Sequence, residues 1–511
     1  MQRDDFNLYS HFGVQIAANE DKELLQTHAG DSYRYGDIDK LSAQMASSLV
    51  SLGVAVGDRV SVQVEKSPEC LCLYLACLRA GFVFHPLNMA YKPAELEYFL
   101  NDAEPAVVVC DARNKPSIQS IADQSGARHV LTLNADGSGE LADVARGAAE
   151  SFETVPRARD DLAALLYSSG TTGVPKGIML THWNLLSNTQ ALVSAWGFSS
   201  SDRLLHALPI FHVHGLFVAI GCVLLSGASM RWLPAYQAKE VIRHLPECSV
   251  MMGVPTYYVR LLAETEFDEA VAKNLRLFVS GSAPLLAETF VQFETRTGHR
   301  ILERYGMTET NMNTSNPLEG ERKPGTVGPP LPGVDVRICD DDGRPIDEGE
   351  IGNLQVKGPN VFIGYWKLPD KTAEDLTDDG FFNTGDKGLI DADGYISIVG
   401  RAKDMVITGG LNVYPKEVEL QIDDLPGVKE SAVIGVPHPD FGEGVVAVVV
   451  SKPDGNPSEA ALIESLKISL ADFKVPKRIV FVDELPRNTM AKVQKNLLRE
   501  QFKTLFDGVA V

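Results

Sequence analysis

Little in this chain serves oxidation, membrane insertion or polyanion binding. Its seven cysteines form no CxxC pair and leave an odd one over. Cys70, Cys72 and Cys77 sit in an apolar stretch, where thiols act as small hydrophobes, and the pattern argues for a reducing cytoplasmic setting. No window offers the run of about 18 apolar residues that a spanning helix needs; the longest candidate, "GLFVAIGCVLLSGAS", fits a buried helix. The opening "MQRDDFNLYSHFG" carries acids early and no apolar core, so no secretory or transit leader is expected there. Positive charge is scarce, with 47 Lys and Arg against 68 Asp and Glu and a net charge of −21. A field of that sign repels nucleic acid and anionic membranes. Any anionic ligand must therefore meet locally concentrated positive groups.

What is present is ordinary globular material: 511 residues, 44% hydrophobic and 23% charged, enough for several cores. Over the first 150 residues, and again from about 160 to 310, helical patterns such as "DIDKLSAQMASSLVSLG" alternate with β-rich runs such as "RVSVQVE", "AVVVCD", "AALLYSS", "SVMMGV" and "LRLFVSG". That alternation predicts an α/β fold with largely parallel sheets and helices on both faces. Short strands with turns such as "DDDGRP" and "DADGY" between Gly325 and Gly400 predict an antiparallel meander or small barrel-like subdomain. Beyond the polar run "GRAKD", the pattern predicts a compact α+β unit with a helix from about Ser458 to Phe473. The expected domains are 1–400 and 401–511, the second smaller and mobile.

Residues 165–177, "LLYSSGTTGVPKG", place a strand before a run of hydroxyls and glycines that ends in Lys176. Glycines let backbone amides approach phosphate oxygens, hydroxyls donate hydrogen bonds, and the lysine adds a point charge. Ser168, Ser169, Gly170, Thr171, Thr172, Gly173 and Lys176 are the candidate polyphosphate cradle. The alternative is a flexible polar loop, and the Walker ending Gly-Lys-Ser/Thr is absent.

At this loop the chain resembles the adenylate-forming superfamily of acyl-CoA synthetases, luciferases and nonribosomal adenylation domains. Further stretches match in order: "ALPIFHVHG", "SGSAPL", "ERYGMTET", "TGD", "GRAKDMVITGGLNVYPKEVE" and "LPRNTMAKVQK". Within that superfamily it is most similar to the malonyl-CoA synthetases. The resemblance implies a first half-reaction that joins a carboxylate to the α-phosphate of ATP and a second that passes the acyl group to a thiol, with Mg²⁺ bridging phosphate oxygens.

It also implies roles residue by residue. Glu309 would hold Mg²⁺, Thr308 would contact phosphate, Tyr305 would form a platform for adenine, and Asp386 would accept from the ribose diol. Arg401 would be a second ribose or phosphate contact. Lys492 would stabilise charge during adenylation, although Ala491 precedes it where relatives commonly carry glycine. His212 would line the acyl and nucleotide pocket, while His214 is expected to pack. Lys403 would be the hinge between half-reactions, and Gly409 and Gly410 would leave a passage for pantetheine. The partners so implied are malonate, ATP and coenzyme A, together with a protein acetyltransferase acting on Lys492.

The strand-like segment "SMRWL" places Arg231 opposite Met230 and Trp232. By itself such an arginine faces solvent. The resemblance suggests instead that it enters the acyl pocket and binds a second carboxylate through paired hydrogen bonds, assisted by Ser282. On that reading the enzyme takes malonate, rejects acetate and succinate, and accepts methylmalonate where a methyl-sized space exists. A ligase for oxalate or another short acid, a carrier-protein-loading enzyme and a noncatalytic nucleotide binder are the alternatives.

Overall fold

Six parallel strands form the centre of the larger sheet. Across it lie Asn311–Ser315, Leu302–Met307, Leu277–Ser280, Val250–Gly253, Arg203–His206, Ser229–Trp232, Glu23–Thr27 and Ser32–Arg34, the first and last of these antiparallel to their neighbours. The computed structural model describes residues 5–169, 175–283, 285, 287–401, 405–413, 415–453, 455–486 and 493–507, and at 169, 288, 399–401 and 416 it describes the backbone. A second sheet runs in the order Gly364–Tyr365, Pro175–Thr181, Leu162–Ser169, Val83–Pro86, Arg59–Gln63, Val107–Cys110 and His129–Thr132. The third, Asp335–Cys339, Gly352–Lys357, Phe382–Ile390 and Ile396–Arg401, has the antiparallel pairings that the turn-rich texture predicts.

Between the first two sheets the apolar positions merge into one large core. The helix Pro68–Ala80 is buried along its whole length apart from Glu69, which accounts for its continuous apolar sequence and for Cys70, Cys72 and Cys77 within it. Ser67 caps it by accepting from Cys70 N at 3.1 Å. The apolar run 214–226 is buried as expected, but its first part, His214–Ala219, is a π-helix that passes into the α-helix Ile220–Ser226. No helix among the described residues is long and apolar enough to cross a membrane.

The chain divides into two compact units, one of residues 1–89, 99–166 and 177–399, the other of 90–98, 167–176 and 400–511. In the second unit the antiparallel pair Val428–His438 and Gly442–Ser451 is the spine, extended by Val406–Thr408, Leu411–Val413 and Arg478–Phe481. Its run "VVAVVVS" does not alternate because both faces are covered: Val445, Ala447 and Val449 enter one core, Val446, Val448 and Val450 another. The helix predicted over 458–473 spans Glu459–Ser469 and stops where Leu470 turns extended. Lys474, 3% exposed, holds Glu95 at 2.8 Å and Glu417 at 2.7 Å.

Candidate active site

Several polar and aromatic residues of the first unit lie at or near the carboxyl ends of parallel strands of the larger sheet. His206 closes Arg203–His206, Ser280 closes Leu277–Ser280, and Arg304 and Tyr305 lie in Leu302–Met307. Carboxyl ends of parallel strands are where open α/β sheets bind ligands, because the chain leaves the sheet there and exposes backbone and side chains to a crevice.

One group is basic and buried. His214, at the start of the π-helix, lies 3.3 Å from Ser282 Oγ through Nδ1. Ser282 has φ 70°, a left-handed conformation that costs a non-glycine residue energy and is favoured at sites where geometry outweighs strain. Arg304 is 3% exposed, and its Nε and Nη2 find no partner among the described residues. Burial lowers its pKa to about 9. Its guanidinium rests on Gly281, where a Cβ would come within 2.3 Å of Cζ, so only glycine admits the arginine. Burial, followed by the charge of Arg304, holds His214 well below the usual histidine range. His212 is only partly exposed; burial takes it to about 4, and its Nε2 has no partner among the described residues. These imidazoles are neutral at pH 7, which makes Arg304 the cation of the group.

The second group suits a nucleoside. Tyr305 Oη donates to Asp386 Oδ2 at 2.5 Å, and Asp386, 3% exposed, is steadied by its own N–H donating to Thr384 Oγ1 at 3.1 Å. Glu309, 6% exposed, accepts from Tyr365 Oη at 3.5 Å, while Phe362 N donates to the Glu309 carbonyl at 2.8 Å. Thr308 is half-buried beside it. No cluster of three or more His, Cys, Asp or Glu side chains able to hold a metal occurs among the described residues. A single carboxylate such as Glu309 fits Mg²⁺, which keeps most of its shell for water and phosphate oxygens.

Arg231 requires a correction. Its Nε donates to His244 Nδ1 at 3.0 Å, Nη1 donates to Gln26 Oε1, Nη2 lies 3.4 Å from His244 Nε2, and Glu247 Oε2 is 3.8 Å from Nη1. All three nitrogens are thus engaged by the strand Glu23–Thr27, the helix Ala238–His244 and the turn that follows it. Alternation placed Arg231 opposite Met230 and Trp232 correctly, but that face meets protein. The arginine beside Ser282 is Arg304, the second residue of the motif "ERYGMTET". Its signal was an arginine inside a strand that is otherwise apolar on the same edge.

Ser168 and Lys176 are half-buried on the strands Leu162–Ser169 and Pro175–Thr181, Ser169 ends the first of these, and both stretches near the loop belong to the second unit. Gly170, Thr171, Thr172 and Gly173 lie outside the described residues, as do Lys403 and Lys492. Arg401 ends the strand Ile396–Arg401. Gly409 and Gly410, with φ of 58° and 79°, make the two-residue turn between Val406–Thr408 and Leu411–Val413, a geometry for which Gly-Gly is suited whatever else it does.

Comparison with known proteins fits this geometry. The model of the AMP-binding enzyme family matches residues 12–366, and that of the AMP-binding enzyme C-terminal domain matches 417–492. A malonate–CoA ligase of Arabidopsis thaliana is 34% identical, covering 93% of this chain and 85% of that protein. A feruloyl-CoA synthase of an Amycolatopsis species is 35% identical, covering 93% and 95%, so identity at this level does not select the acid. The crystal structure of ATP-bound MatB from Rhodopseudomonas palustris is 52% identical, covers 98% of this chain and 100% of its own, and superposes with a TM-score of 0.77. On the strength of its matched family models, its relatives and its fold, the chain belongs to the AMP-binding enzymes and is an acyl-CoA synthetase, an acid–thiol ligase.

Proposed function

We propose that the chain is an AMP-forming malonate–CoA ligase. A carboxylate oxygen of malonate attacks the α-phosphorus of ATP and pyrophosphate leaves; the thiol sulfur of coenzyme A then attacks the carbonyl carbon, loses its proton, and AMP leaves. The observation that carries the acid is Arg304, a buried guanidinium with Nε and Nη2 unpartnered among the described residues, beside Ser282 and His214. A buried cation without a partner is costly, and the distal carboxylate of malonate offers it two parallel hydrogen bonds. Acetate leaves the cation unmatched, and succinate carries its second charge one methylene too far. That the Arabidopsis relative is a malonate–CoA ligase supports the same acid.

On the nucleotide side, Tyr305 stacks on adenine and Asp386 accepts from the ribose diol. Thr308 contacts phosphate, and Glu309 would hold Mg²⁺, which would supply neutralisation of phosphate charge. The polar loop 168–176 cradles the remaining phosphates, and His212 lines the pocket. Lys492 serves adenylation, Arg401 contacts the nucleotide, and Lys403 is the pivot by which the C-terminal residues exchange Lys492 for the passage at Gly409 and Gly410. Acetylation of Lys492 by a protein acetyltransferase would block the first half-reaction. Seven free, buried cysteines favour a reducing, cytoplasmic setting.

The test is a panel of malonate, methylmalonate, oxalate, succinate and acetate with ATP, Mg²⁺ and coenzyme A. Pyrophosphate and thioester are followed for the wild type and for Arg304→Met. Malonate is expected to lead the panel, and the substitution to lower its kcat/KM by about 10³-fold or more relative to acetate. An unchanged malonate-to-acetate ratio in the variant, or a wild type indifferent to malonate, would overturn the assignment.

A further inference from the structure

Lys66 follows the strand Arg59–Gln63 and plays no part in the chemistry described above. Its Nζ donates to His206 Nδ1 at 2.8 Å, to the His206 carbonyl at 2.9 Å and to the Leu233 carbonyl at 2.6 Å. The same nitrogen lies 4.4 Å from the centroid of the Trp232 ring, which stacks on the His206 imidazole at 4.9 Å. Three acceptors and an aromatic face match the three donors of an ammonium. Burial favours the neutral amine; with every position around Nζ taken by an acceptor, the geometry is that of the charged form.

The contact continues into the pocket wall. His206 Nε2 lies 2.9 Å from the Gly215 carbonyl, and because a carbonyl can only accept, Nε2 carries the proton and Nδ1 is left to receive from Lys66. Gly215 stands in the first turn of the π-helix His214–Ala219, one residue after the imidazole that meets Ser282. A side-chain donor bonded into the first turn competes with the ordinary i→i+4 ladder, and π-turns concentrate at functional sites. Gly215 is also pressed on the preceding loop, since a Cβ there would come within 1.9 Å of the Pro209 carbonyl. Lys66 thus ties together the ends of two parallel strands and, through His206, the turn that presents His214. It also lines a cavity of about 280 Å³ whose wall includes Pro209, Ile210 and Phe211, the three residues before His212.

We propose that Lys66 and His206 are positioning residues for the acid pocket: together they hold the π-turn and the loop before it, so that His212, His214 and Ser282 meet the acid in fixed geometry. This rests on the acid–thiol ligase reading and on no particular acid. The nucleotide contacts at Tyr305, Asp386 and Glu309 receive no bond from either residue, so the acid and ATP should respond differently to their loss.

The experiment uses the full chain and whichever acid the wild type turns over best. That choice separates failure here from failure of the malonate assignment. KM and kcat for the acid and for ATP are measured for Lys66→Met, His206→Leu, the double variant and His206→Gln, well below each variant's Tm. Gln can donate to Gly215 through its amide and accept from Lys66 through its carbonyl. Lys66→Met and His206→Leu are each expected to raise the acid KM about tenfold, with the ATP KM moved less than about twofold. The double variant should be little worse than either single one, because both break one chain of contacts. His206→Gln should recover most of the loss. Equal changes in both KM values, additive effects, or a folded Lys66→Met or His206→Leu with an unchanged acid KM would overturn the proposal. Should the apolar variants fail to fold, Lys66→Gln and His206→Asn, whose amides stay polar but are too short to span both ends of the contact, decide it by the same split between acid and ATP.

Discussion

Tyr305 Oη donates to Asp386 Oδ2 across 2.5 Å, joining two residues 81 positions apart in the chain. One is in the strand that carries Arg304, the other in the strand Phe382–Ile390 of the antiparallel sheet that follows. The bond fixes the tilt of the ring and directs one carboxylate oxygen, so the proposed adenine platform and the proposed ribose acceptor are set by one contact. Hydrogen bonds to an ionised acceptor are among the stronger ones.

Tyr305→Phe keeps the ring and removes the hydroxyl that makes that bond, together with its weaker 4.0 Å contact to Met307 Sδ. The expected outcome is a rise in the ATP KM of about five- to tenfold, from a loss of about 1–1.5 kcal/mol, with the acid KM unchanged. Steady-state kinetics with each substrate varied in turn checks it. A change confined to the acid would mean that the ring belongs to the other half of the site.

Arg231 and Arg304 invite the opposite pair of outcomes. Arg231→Met removes the guanidinium that joins buried His244 to half-buried Gln26, leaving His244 to Arg243 and Gln26 to Arg203. Loss of such bonds costs about 1–3 kcal/mol, so the Tm should fall by a few degrees while the ratio of malonate to acetate kcat/KM stays as in the wild type. Thermal unfolding at matched scan rate and the two-acid assay together check this. A collapse of malonate selectivity in Arg231→Met, with Arg304→Met unaffected, would return the distal carboxylate to Arg231.

These two arginines also mark how far the sequence could be read. Parallel strands such as Val107–Cys110 and Leu277–Ser280 were legible because short apolar runs ended by turn residues have few other readings. The motif residues Tyr305 and Asp386 were legible by resemblance. Alternation put Arg231 on the face away from Met230 and Trp232, yet it has no means of telling what covers that face: Gln26 comes from 205 residues away, and His244, 13 residues on, from a different element. The π-turn at His214–Ala219 was hidden for a different reason. In a run that is apolar on all sides, no periodicity separates a π-turn from an α-turn. Lys66 and His206 lie 140 residues apart, and neither carries a local signal of the contact.

Glu303 gives the pH prediction. It lies beside Arg304 in the same strand, 5% exposed, with Oε1 accepting from Leu285 N at 3.0 Å and Oε2 without a partner among the described residues. It thereby anchors the loop that carries Ser282. Burial raises its pKa from 4.5 to about 7, against the smaller opposing effect of the Leu285 bond. Because the folded value is the higher one, between those two pKa values the native carboxyl holds more proton than the unfolded one. Stability therefore falls as pH rises through this window and levels off above about pH 7. The shift corresponds to about 3 kcal/mol. In Glu303→Gln the amide oxygen can still accept from Leu285 N, but nothing titrates. Denaturant unfolding of both proteins from pH 4.5 to 8 should show the variant gaining on the wild type by about that amount as pH rises, since other groups cancel in the difference. A constant difference across the window would show that Glu303 titrates at an ordinary pKa and that water or another group reaches Oε2.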